Sequence, residues 1–164
     1  MTILRDLLAA NEAYAGQFAG QDLSARPVRR LAILTCMDCR LMPAQMMGLK
    51  EGDAHVLRNA GARATPDAIR SLILSYEVLG TREILVVHHT ECGMQQVTNE
   101  GLREQLRERA GSEVEDLDFL PFTDQVAALR DDVETIRSSS FIPDSVPVSG
   151  LIYDVKTGRL EHVV

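Results

Sequence analysis

The apolar positions near the start of the chain recur with the period of an amphipathic helix. Within the first twenty residues, these apolar side chains share one helical stripe: Ile3, Leu4, Leu7, Leu8, Ala10, Tyr14 and Phe18. Gly20 and the polar residues after it end this stretch. We therefore predict an N-terminal helical arm over residues 1–20, ahead of the first core strand.

Shorter apolar runs bounded by polar residues predict strands. Residues 30–35 form an apolar run after a basic pair, residues 55–58 are a second candidate, and residues 83–88 are the clearest buried strand. Residues 147–153 and 160–163 are separated by a polar turn sequence, and together they predict a terminal hairpin.

Helical periodicity returns between the strands. The candidate helices cover residues 41–49, 66–79, 100–109 and 123–138. The second of them has a complete set of end signals, because Thr65 suits the N-cap, Pro66 suits the first helical position and Gly80 follows its end. Strands that alternate with helices predict an α/β fold, with a mostly parallel central β-sheet flanked by helices.

Nothing in the sequence divides the chain into two domains. It contains neither an internal repeat nor a linker, and 164 residues are enough to bury a core. We therefore predict a single domain over residues 1–164, in which the acidic stretch 113–118 is a solvated loop.

Composition and charge narrow the function classes. Apolar residues make up 45% and charged residues 25%, as in ordinary globular proteins. The formal net charge is −7 without a basic stripe, so nucleic acid is not an expected partner. The apolar run 84–87 is too short to span a bilayer, and Arg5 and Asp6 interrupt the N-terminus before a signal peptide could form. Three cysteines are too few for a disulfide scaffold, so we expect reduced thiols in a cytoplasmic protein with no membrane partner.

Two strand ends carry the residues with the most distinctive chemistry. Cys36 directly follows the first strand, and His89 and Cys92 follow the apolar run 84–87. Because ligand sites in open parallel sheets collect outside the carboxyl ends of strands, we expect these side chains to meet at one edge. Thiolate and imidazole are ligands that suit zinc, and three protein ligands leave a fourth position open, as in catalytic zinc sites.

The same residues admit plainer interpretations. A buried cysteine is often a small hydrophobic residue, and a single His-x-x-Cys spacing is weak evidence for a metal. Cys36 and Cys39 could form a redox pair or half of a structural zinc site, although no second Cys-x-x-Cys completes the latter. Asp38 and Arg40 could be an ordinary surface ion pair. Their position among the candidate ligands favours a role at the site, with Arg40 neutralising Asp38 in a bidentate pair.

Motifs at four places along the chain resemble those of one enzyme family. The β-class carbonic anhydrases have a Cys-x-Asp-x-Arg and His-x-x-Cys signature, which C-M-D-C-R at 36–40 and H-T-E-C-G at 89–93 resemble. R-N-A-G at 58–61 is similar to the family's Asn-Ala-Gly turn, and Y-D-V-K-T-G-R-L at 153–160 resembles its closing hairpin. The similarity runs from about residue 30 to the end, and the short length resembles the compact bacterial, actinobacterial-type members.

This resemblance implies a zinc site and a catalytic pair. Cys36, His89 and Cys92 would hold Zn²⁺, and Asp38 with Arg40 would form the catalytic dyad. Asp38 is also a conditional fourth metal ligand, since some members hold this aspartate on the zinc at low pH and bind a regulatory bicarbonate beside a tryptophan. The chain has no tryptophan, which favours the open form with Asp38 held by Arg40.

The resemblance also implies an activity and an assembly. The activity, that of a carbonate dehydratase (a zinc lyase), is the reversible hydration of carbon dioxide to bicarbonate and a proton by zinc-bound hydroxide. The assembly is a homodimer or a homotetramer, in which the N-terminal arm packs on a neighbouring subunit. The alternatives are a carbonyl sulfide hydrolase that uses the same site and, outside enzymes, a zinc-binding or redox-sensing module. We interpret His55, His88 and His162 as structural or solvated residues.

Overall fold

The computed structural model describes residues 2–111 and 116–164. Within these ranges the chain forms five α-helices and five β-strands. In chain order they are α1 (Ile3–Ala15), β1 (Leu31–Cys36), α2 (Pro43–Met46), β2 (Ala54–Asn59), α3 (Pro66–Glu77), β3 (Glu83–His89), α4 (Asn99–Ala110), α5 (Gln125–Arg137), β4 (Val148–Tyr153) and β5 (Leu160–His162). Each predicted helix and strand corresponds to one of these elements.

The strands form one five-stranded sheet in the order β2-β1-β3-β4-β5. β1 pairs in parallel with β2 and β3, and β3 pairs in parallel with β4. The last pair, β4 with β5, is antiparallel, as the predicted terminal hairpin requires. The mostly parallel α/β sheet predicted from the sequence is therefore confirmed.

The strand register brings the carboxyl ends of β1 and β3 side by side. Thr35 lies opposite Val87, and its hydroxyl donates a hydrogen bond to the Val87 carbonyl at 2.9 Å. Cys36, the next residue of β1, lies opposite Asn59 at the end of β2. His89 ends β3 on the same edge of the sheet.

The main core lies between the sheet and the helices α3 and α5. Its fully buried side chains come from both sources: Ala32, Leu34, Ile84 and Val86 from the strands, and Leu72, Leu129, Val133 and Ile136 from the helices. A second, smaller cluster contains Cys36, Leu41, Ala62, Cys92 and Phe122. Burying a large aliphatic side chain stabilises a fold by about 1.5–3 kcal/mol. Because Cys36 and Cys92 belong to the second cluster, the edge that carries the candidate ligands is part of the packed interior.

The predicted end signals of α3 are present. The Thr65 hydroxyl accepts a hydrogen bond from the Ala68 amide at 3.3 Å, and Pro66 lies in the first turn. The helix ends at Glu77, slightly before the predicted end at 79, and Gly80 follows with a φ of 82°. The cap and the proline therefore set the start of this helix as expected.

Two helices, α1 and α2, are much shorter than predicted. α2 has four residues in place of 41–49, because Pro43 lacks an amide hydrogen and belongs in the first turn, and Gly48 leaves the helical conformation with a φ of 63°. α1 ends at Ala15 rather than near residue 20, and Gly16 caps it. The periodicity beyond that point belongs to a turn that still carries apolar side chains.

Three features of the described surface bear on the sequence predictions. α1 has no buried residue, and Leu7 within it is 61% exposed. Half of the predicted loop at 113–118 lies outside the described residues, but its last residue, Asp118, is exposed and accepts a hydrogen bond from the Asn99 side chain at 2.8 Å. Among the described helices, none combines the length and apolar character needed to cross a membrane.

Candidate metal centre

Three candidate ligands converge at the carboxyl ends of β1 and β3. Cys36 is the last residue of β1, His89 is the last residue of β3, and Cys92 follows in the next turn, so both strands run one residue further than predicted. The two sulfur atoms and a ring nitrogen of His89 lie within 4.8 Å of one another, and each residue is at most 5% exposed. Over residues 2–111 and 116–164, this is the one group of three or more His, Cys, Asp or Glu side chains that could hold a metal ion.

The hydrogen bonding of His89 leaves one ring nitrogen free to bind a cation. Its Nδ1 atom lies 2.9 Å from the carbonyl oxygen of Thr90, which accepts only from a protonated nitrogen. Its Nε2 atom is buried and has no hydrogen-bond partner among the described residues. A buried polar atom without a partner is costly, and a metal ion at Nε2 would remove that cost. Two thiols and one such imidazole therefore fit a zinc ion.

The two thiols differ strongly in proton affinity. The neighbouring Cys92 thiol lowers the pKa of Cys36 to about 3 against the opposing effect of burial, and His89 acts in the same direction as Cys92. The same contact, together with burial, raises the pKa of Cys92. Burial opposes a charge on His89, yet the adjacent Cys36 sulfur raises the pKa of the ring overall. The two thiols thus share one negative charge, and a divalent cation bound between them would displace the remaining thiol proton.

Asp38 faces the cluster while Arg40 holds its carboxylate. Nε of Arg40 donates to Oδ1 of Asp38 at 3.0 Å, and Nη2 donates to Oδ2 at 2.7 Å. Oδ2 also lies 3.8 Å from Nε2 of His89. Hydrogen bonds from the Arg40 guanidinium hold the pKa of Asp38 well below its usual range, so the carboxylate is ionised. The bidentate pair expected from the sequence is therefore present.

Arg40 is also held from its other side by the turn after β3. Its Nη2 donates to the Glu91 carbonyl at 3.1 Å, and its Nη1 lies 3.6 Å from Oε2 of Glu91. Oε1 of Glu91 pairs with Nζ of Lys156, in the turn between β4 and β5. Because four charged side chains are linked in this way, Arg40 is more restrained than the arginine of an isolated surface pair.

Sequence reasoning missed two side chains that hold the backbone of the ligand segments. Arg58 of β2 donates from Nε to the Cys36 carbonyl at 3.0 Å and from Nη2 to the Asp38 carbonyl at 2.6 Å. Gln125, in the first turn of α5, donates from Nε2 to the His89 carbonyl at 2.5 Å. The R-N-A-G motif contains Arg58 and could have indicated it. No local signal indicates Gln125, whose partner is 36 residues away.

The turn after β2 fits against the cluster because it contains a glycine. Gly61 has a φ of 76°, and its amide donates towards the Cys36 sulfur. A Cβ atom at this position would lie 3.1 Å from Cγ of Met94. The Asn59 side chain closes the turn, donating to the Arg63 carbonyl at 2.7 Å and accepting from the Arg63 amide at 2.8 Å. The Asn-Ala-Gly sequence therefore places a backbone donor beside a candidate ligand.

The remaining cysteine and histidines lie outside the ligand cluster. Cys39 is exposed, whereas Cys36 lies with the other two ligands, so a Cys36–Cys39 redox pair gains no support. His55 is hydrogen-bonded on both ring nitrogens, His88 is buried and bonded to a carboxylate, and His162 is exposed on β5. These surroundings agree with the interpretation of the three histidines as structural or solvated.

Comparisons with known proteins agree with this geometry. A protein-family model described as carbonic anhydrase matches residues 31–160. The chain is 39% identical over 165 residues to beta-carbonic anhydrase 1 of Mycobacterium tuberculosis, covering 99% of both chains. The crystal structure of a carbonic anhydrase from Streptococcus mutans has 46% sequence identity and a TM-score of 0.96, over 100% of this chain and 99% of that one. The carbon disulfide hydrolase of Acidianus sp. is 36% identical over 155 residues, covering 80% of this chain and 76% of that protein. The chain therefore belongs to the β class of the carbonic anhydrase family, with the Cys-His-Cys cluster that is typical of its zinc site.

Proposed function

We propose that the chain catalyses the reversible hydration of carbon dioxide to bicarbonate and a proton at a zinc ion held by Cys36, His89 and Cys92. The observation that carries this proposal is the convergence of two buried thiols and one free ring nitrogen within 4.8 Å at the carboxyl edge of the sheet. A zinc ion bound there supplies a nucleophile near neutral pH, because it lowers the pKa of water. Membership of the carbonic anhydrase family supports the same reaction.

Asp38 orients the reacting water in this proposal. Its carboxylate is 17% exposed, and its Oδ2 atom lies 3.8 Å from Nε2 of His89. An ionised carboxylate can only accept hydrogen bonds, so Asp38 accepts one from the water and directs the oxygen lone pair towards the carbon of carbon dioxide.

Arg40 keeps Asp38 ionised and away from the metal. Its two parallel hydrogen bonds engage both carboxylate oxygens of Asp38, and Glu91 supports the guanidinium from the other side. Without that guanidinium, Asp38 becomes a conditional fourth ligand, since a free carboxylate binds zinc well. The bidentate geometry supports the open form, in which the fourth position stays available for the reaction.

A carbonyl sulfide hydrolase is the alternative enzyme that would use the same site. The carbon of O=C=S is open to attack by the same nucleophile, and a carbon disulfide hydrolase is among the relatives of the chain. The relative named a carbonic anhydrase matches 99% of the chain, whereas the hydrolase matches 80%. This difference in coverage favours carbon dioxide as the substrate.

A non-enzymatic redox module receives less support. It requires Cys36 to pair with Cys39, but Cys36 is buried with the other ligands and Cys39 is exposed. All three cysteines are free. Free thiols persist in a reducing compartment, so the cytoplasm is the compartment that we expect.

A homodimer or a homotetramer is the assembly that we propose. α1 has an apolar stripe but no buried residue, so the other residues that the structure describes do not cover that stripe. A second copy of the chain that packs on α1 would remove its leucines from water. Tetrameric β-carbonic anhydrases also occur among the structural relatives.

Stopped-flow measurement of carbon dioxide hydration, run beside carbonyl sulfide hydrolysis on one preparation, tests the proposed reaction. We expect one zinc ion per chain and a rate of carbon dioxide hydration above the rate of carbonyl sulfide hydrolysis. Zinc-loaded protein that hydrolyses carbonyl sulfide without hydrating carbon dioxide would support the alternative enzyme. Zinc-free protein with a reversible Cys36–Cys39 disulfide would support the redox module.

A further inference from the structure

A buried carboxylate is hydrogen-bonded to residues next to the metal centre and takes no part in the proposed reaction. Asp132 of α5 is 3% exposed, and its Oδ1 atom accepts a hydrogen bond from the Ala64 amide at 2.7 Å. Nε of Arg63 lies 3.1 Å from Oδ1 and 2.9 Å from Oδ2. Nε2 of His88 lies 3.1 Å from Oδ2. Burying a carboxylate is costly unless it is paired and hydrogen-bonded, so this set of donors is what keeps Asp132 in the interior.

On the strand side, Asp132 fixes the end of β3. His88 is 1% exposed, and its ring lies against that of Phe122 with the centroids 5.5 Å apart. Its Nδ1 atom has no hydrogen-bond partner in the described part of the chain, so Asp132 is the partner that orients the ring. Because His88 and His89 are consecutive in β3, a change in the backbone at His88 also moves the candidate ligand His89.

On the other side, Asp132 fixes the turn that follows β2. It accepts from the amide of Ala64, and in the same turn the Gly61 amide donates towards the sulfur of Cys36. Ala62 between them is fully buried and has a φ of 60°, which is an unfavourable conformation for a residue with a Cβ atom. Such a conformation persists only where surrounding contacts impose it, and the bond to Asp132 is one of those contacts.

We propose that Asp132 is a positioning residue for the metal centre: it ties the turn that contacts Cys36 to the strand end that carries His89. Hydrogen bonds from the residues that surround metal ligands orient those ligands, and losing such a bond typically costs about ten- to a hundredfold in metal affinity or activity. The inference rests on the proposed zinc site and extends it to a residue whose hydrogen bonds go to none of the three ligands.

The test compares three substitutions. Asp132→Asn keeps the shape of the side chain and removes the charge that faces Arg63 and His88. Asp131→Asn makes the same chemical change at the next residue of α5, which is exposed, and is the matched control. Ser75→Ala removes a buried, hydrogen-bonded hydroxyl of α3 at the amino edge of the sheet, so it measures the effect of lost stability alone.

Two measurements other than activity report on ligand position. They are the zinc dissociation constant from chelator competition and the visible absorption spectrum of the cobalt(II)-substituted protein. We expect Asp132→Asn to raise the zinc dissociation constant about ten- to a hundredfold and to change the cobalt spectrum. Asp131→Asn and Ser75→Ala should leave both close to wild type. Wild-type values in Asp132→Asn, or an equal change in Ser75→Ala, would overturn the proposal.

A second variant covers the case in which Asp132→Asn does not fold. His88→Leu replaces a buried ring that has an unpartnered nitrogen with an apolar side chain, so we expect it to fold. It breaks only the link from Asp132 to β3, and the zinc dissociation constant should rise less, with a changed cobalt spectrum. An unchanged constant and spectrum would overturn the proposal. Wild-type protein that binds zinc without hydrating carbon dioxide contradicts the proposed function alone, whereas wild-type protein that binds no zinc contradicts both.

Discussion

α1 and α5 have the same length but very different surroundings. Each has 13 residues and an apolar stripe at helical spacing. α5 buries Leu129, Val133 and Ile136 against the sheet, whereas α1 has no buried residue and leaves Leu7 61% exposed. Periodicity therefore shows that a helix has an apolar face, but it does not show which molecule covers that face.

The two helices also differ in what they bring to the metal centre. Gln125 and Asp132 lie two helical turns apart on α5, and both hold the segment of β3 that ends in His89. The side-chain hydrogen bond of α1 joins Tyr14 to Glu51 at 3.5 Å, away from the candidate ligands. α5 thus couples packing to the site within one chain, whereas in the proposed assembly α1 would pack on a neighbouring copy.

Breaking the buried face of α5 should cost the most stability. Leu129 is fully buried, so Leu129→Ala should lower the free energy of unfolding by about 2–5 kcal/mol. Val126→Ala, at an exposed position of the same helix, should change it by less than about 0.5 kcal/mol. Urea titrations followed by circular dichroism measure both values. Equal losses at the two positions would show that the buried face of α5 is assigned wrongly.

Arg40 lies outside both helices, and its loss should affect activity without affecting packing. Arg40→Ala should keep its zinc and its fold but lose nearly all hydration activity, because the freed Asp38 carboxylate would bind the zinc ion in place of water. Adding Asp38→Ala should recover part of that activity, a non-additive result expected of residues that act as a unit. Turnover and zinc content are measured for Arg40→Ala, for Asp38→Ala and for the double variant. A double variant as inactive as Arg40→Ala would remove the support for the blocking role.

Removing α1 should change the assembly more than the fold of the subunit. Because α1 has no buried residue, a chain without residues 1–20 should fold, dissociate and lose most of its activity. Light scattering and stopped-flow hydration measure these two effects. In the full chain, Leu7→Ser should weaken the assembly, whereas Asp6→Ser should not. An active monomer after truncation would show that the activity does not depend on the assembly, and an intact oligomer would show that α1 has no role in the assembly.

The weakest effect is expected at the first turn of α5. Gln125→Ala removes one neutral hydrogen bond to the His89 carbonyl, and such a bond contributes about 0.5–1.5 kcal/mol. The zinc dissociation constant should therefore rise roughly two- to tenfold, less than in Asp132→Asn. Chelator competition measures it, with Val126→Ala as the control on the same helix. A larger rise in Gln125→Ala than in Asp132→Asn would reverse the proposed ranking of the two α5 contacts.

The sequence was sufficient to predict the sheet and the ligand cluster. Apolar runs identify β1 and β3, and parallel strands end at one edge, so Cys36, His89 and Cys92 were expected to lie close together, as the pairing of β1 with β3 allows. The spacing within 36–40 likewise brings Asp38 and Arg40 within reach of each other.

The hydrogen bonds by which Asp132 holds the segments around the ligands could not be predicted in this way. Asp132 is 44 residues from His88 and 69 residues from Arg63, and no local pattern links positions so far apart. An aspartate on the apolar face of α5 even counts against burial until its partners are known. Periodicity alone could not distinguish α1 from α5, because the two stripes have the same period, and only the family resemblance indicated an arm that packs on a neighbouring subunit.

The zinc content of two serine variants is the decisive test of the metal centre. Cys92→Ser and Cys39→Ser make the same chemical change, at a buried residue of the ligand cluster and at an exposed cysteine outside it. We predict that Cys92→Ser loses both zinc and carbon dioxide hydration, and that Cys39→Ser keeps one zinc ion per chain and its activity. Zinc retained in Cys92→Ser and lost in Cys39→Ser would show that Cys36, His89 and Cys92 are not the ligands.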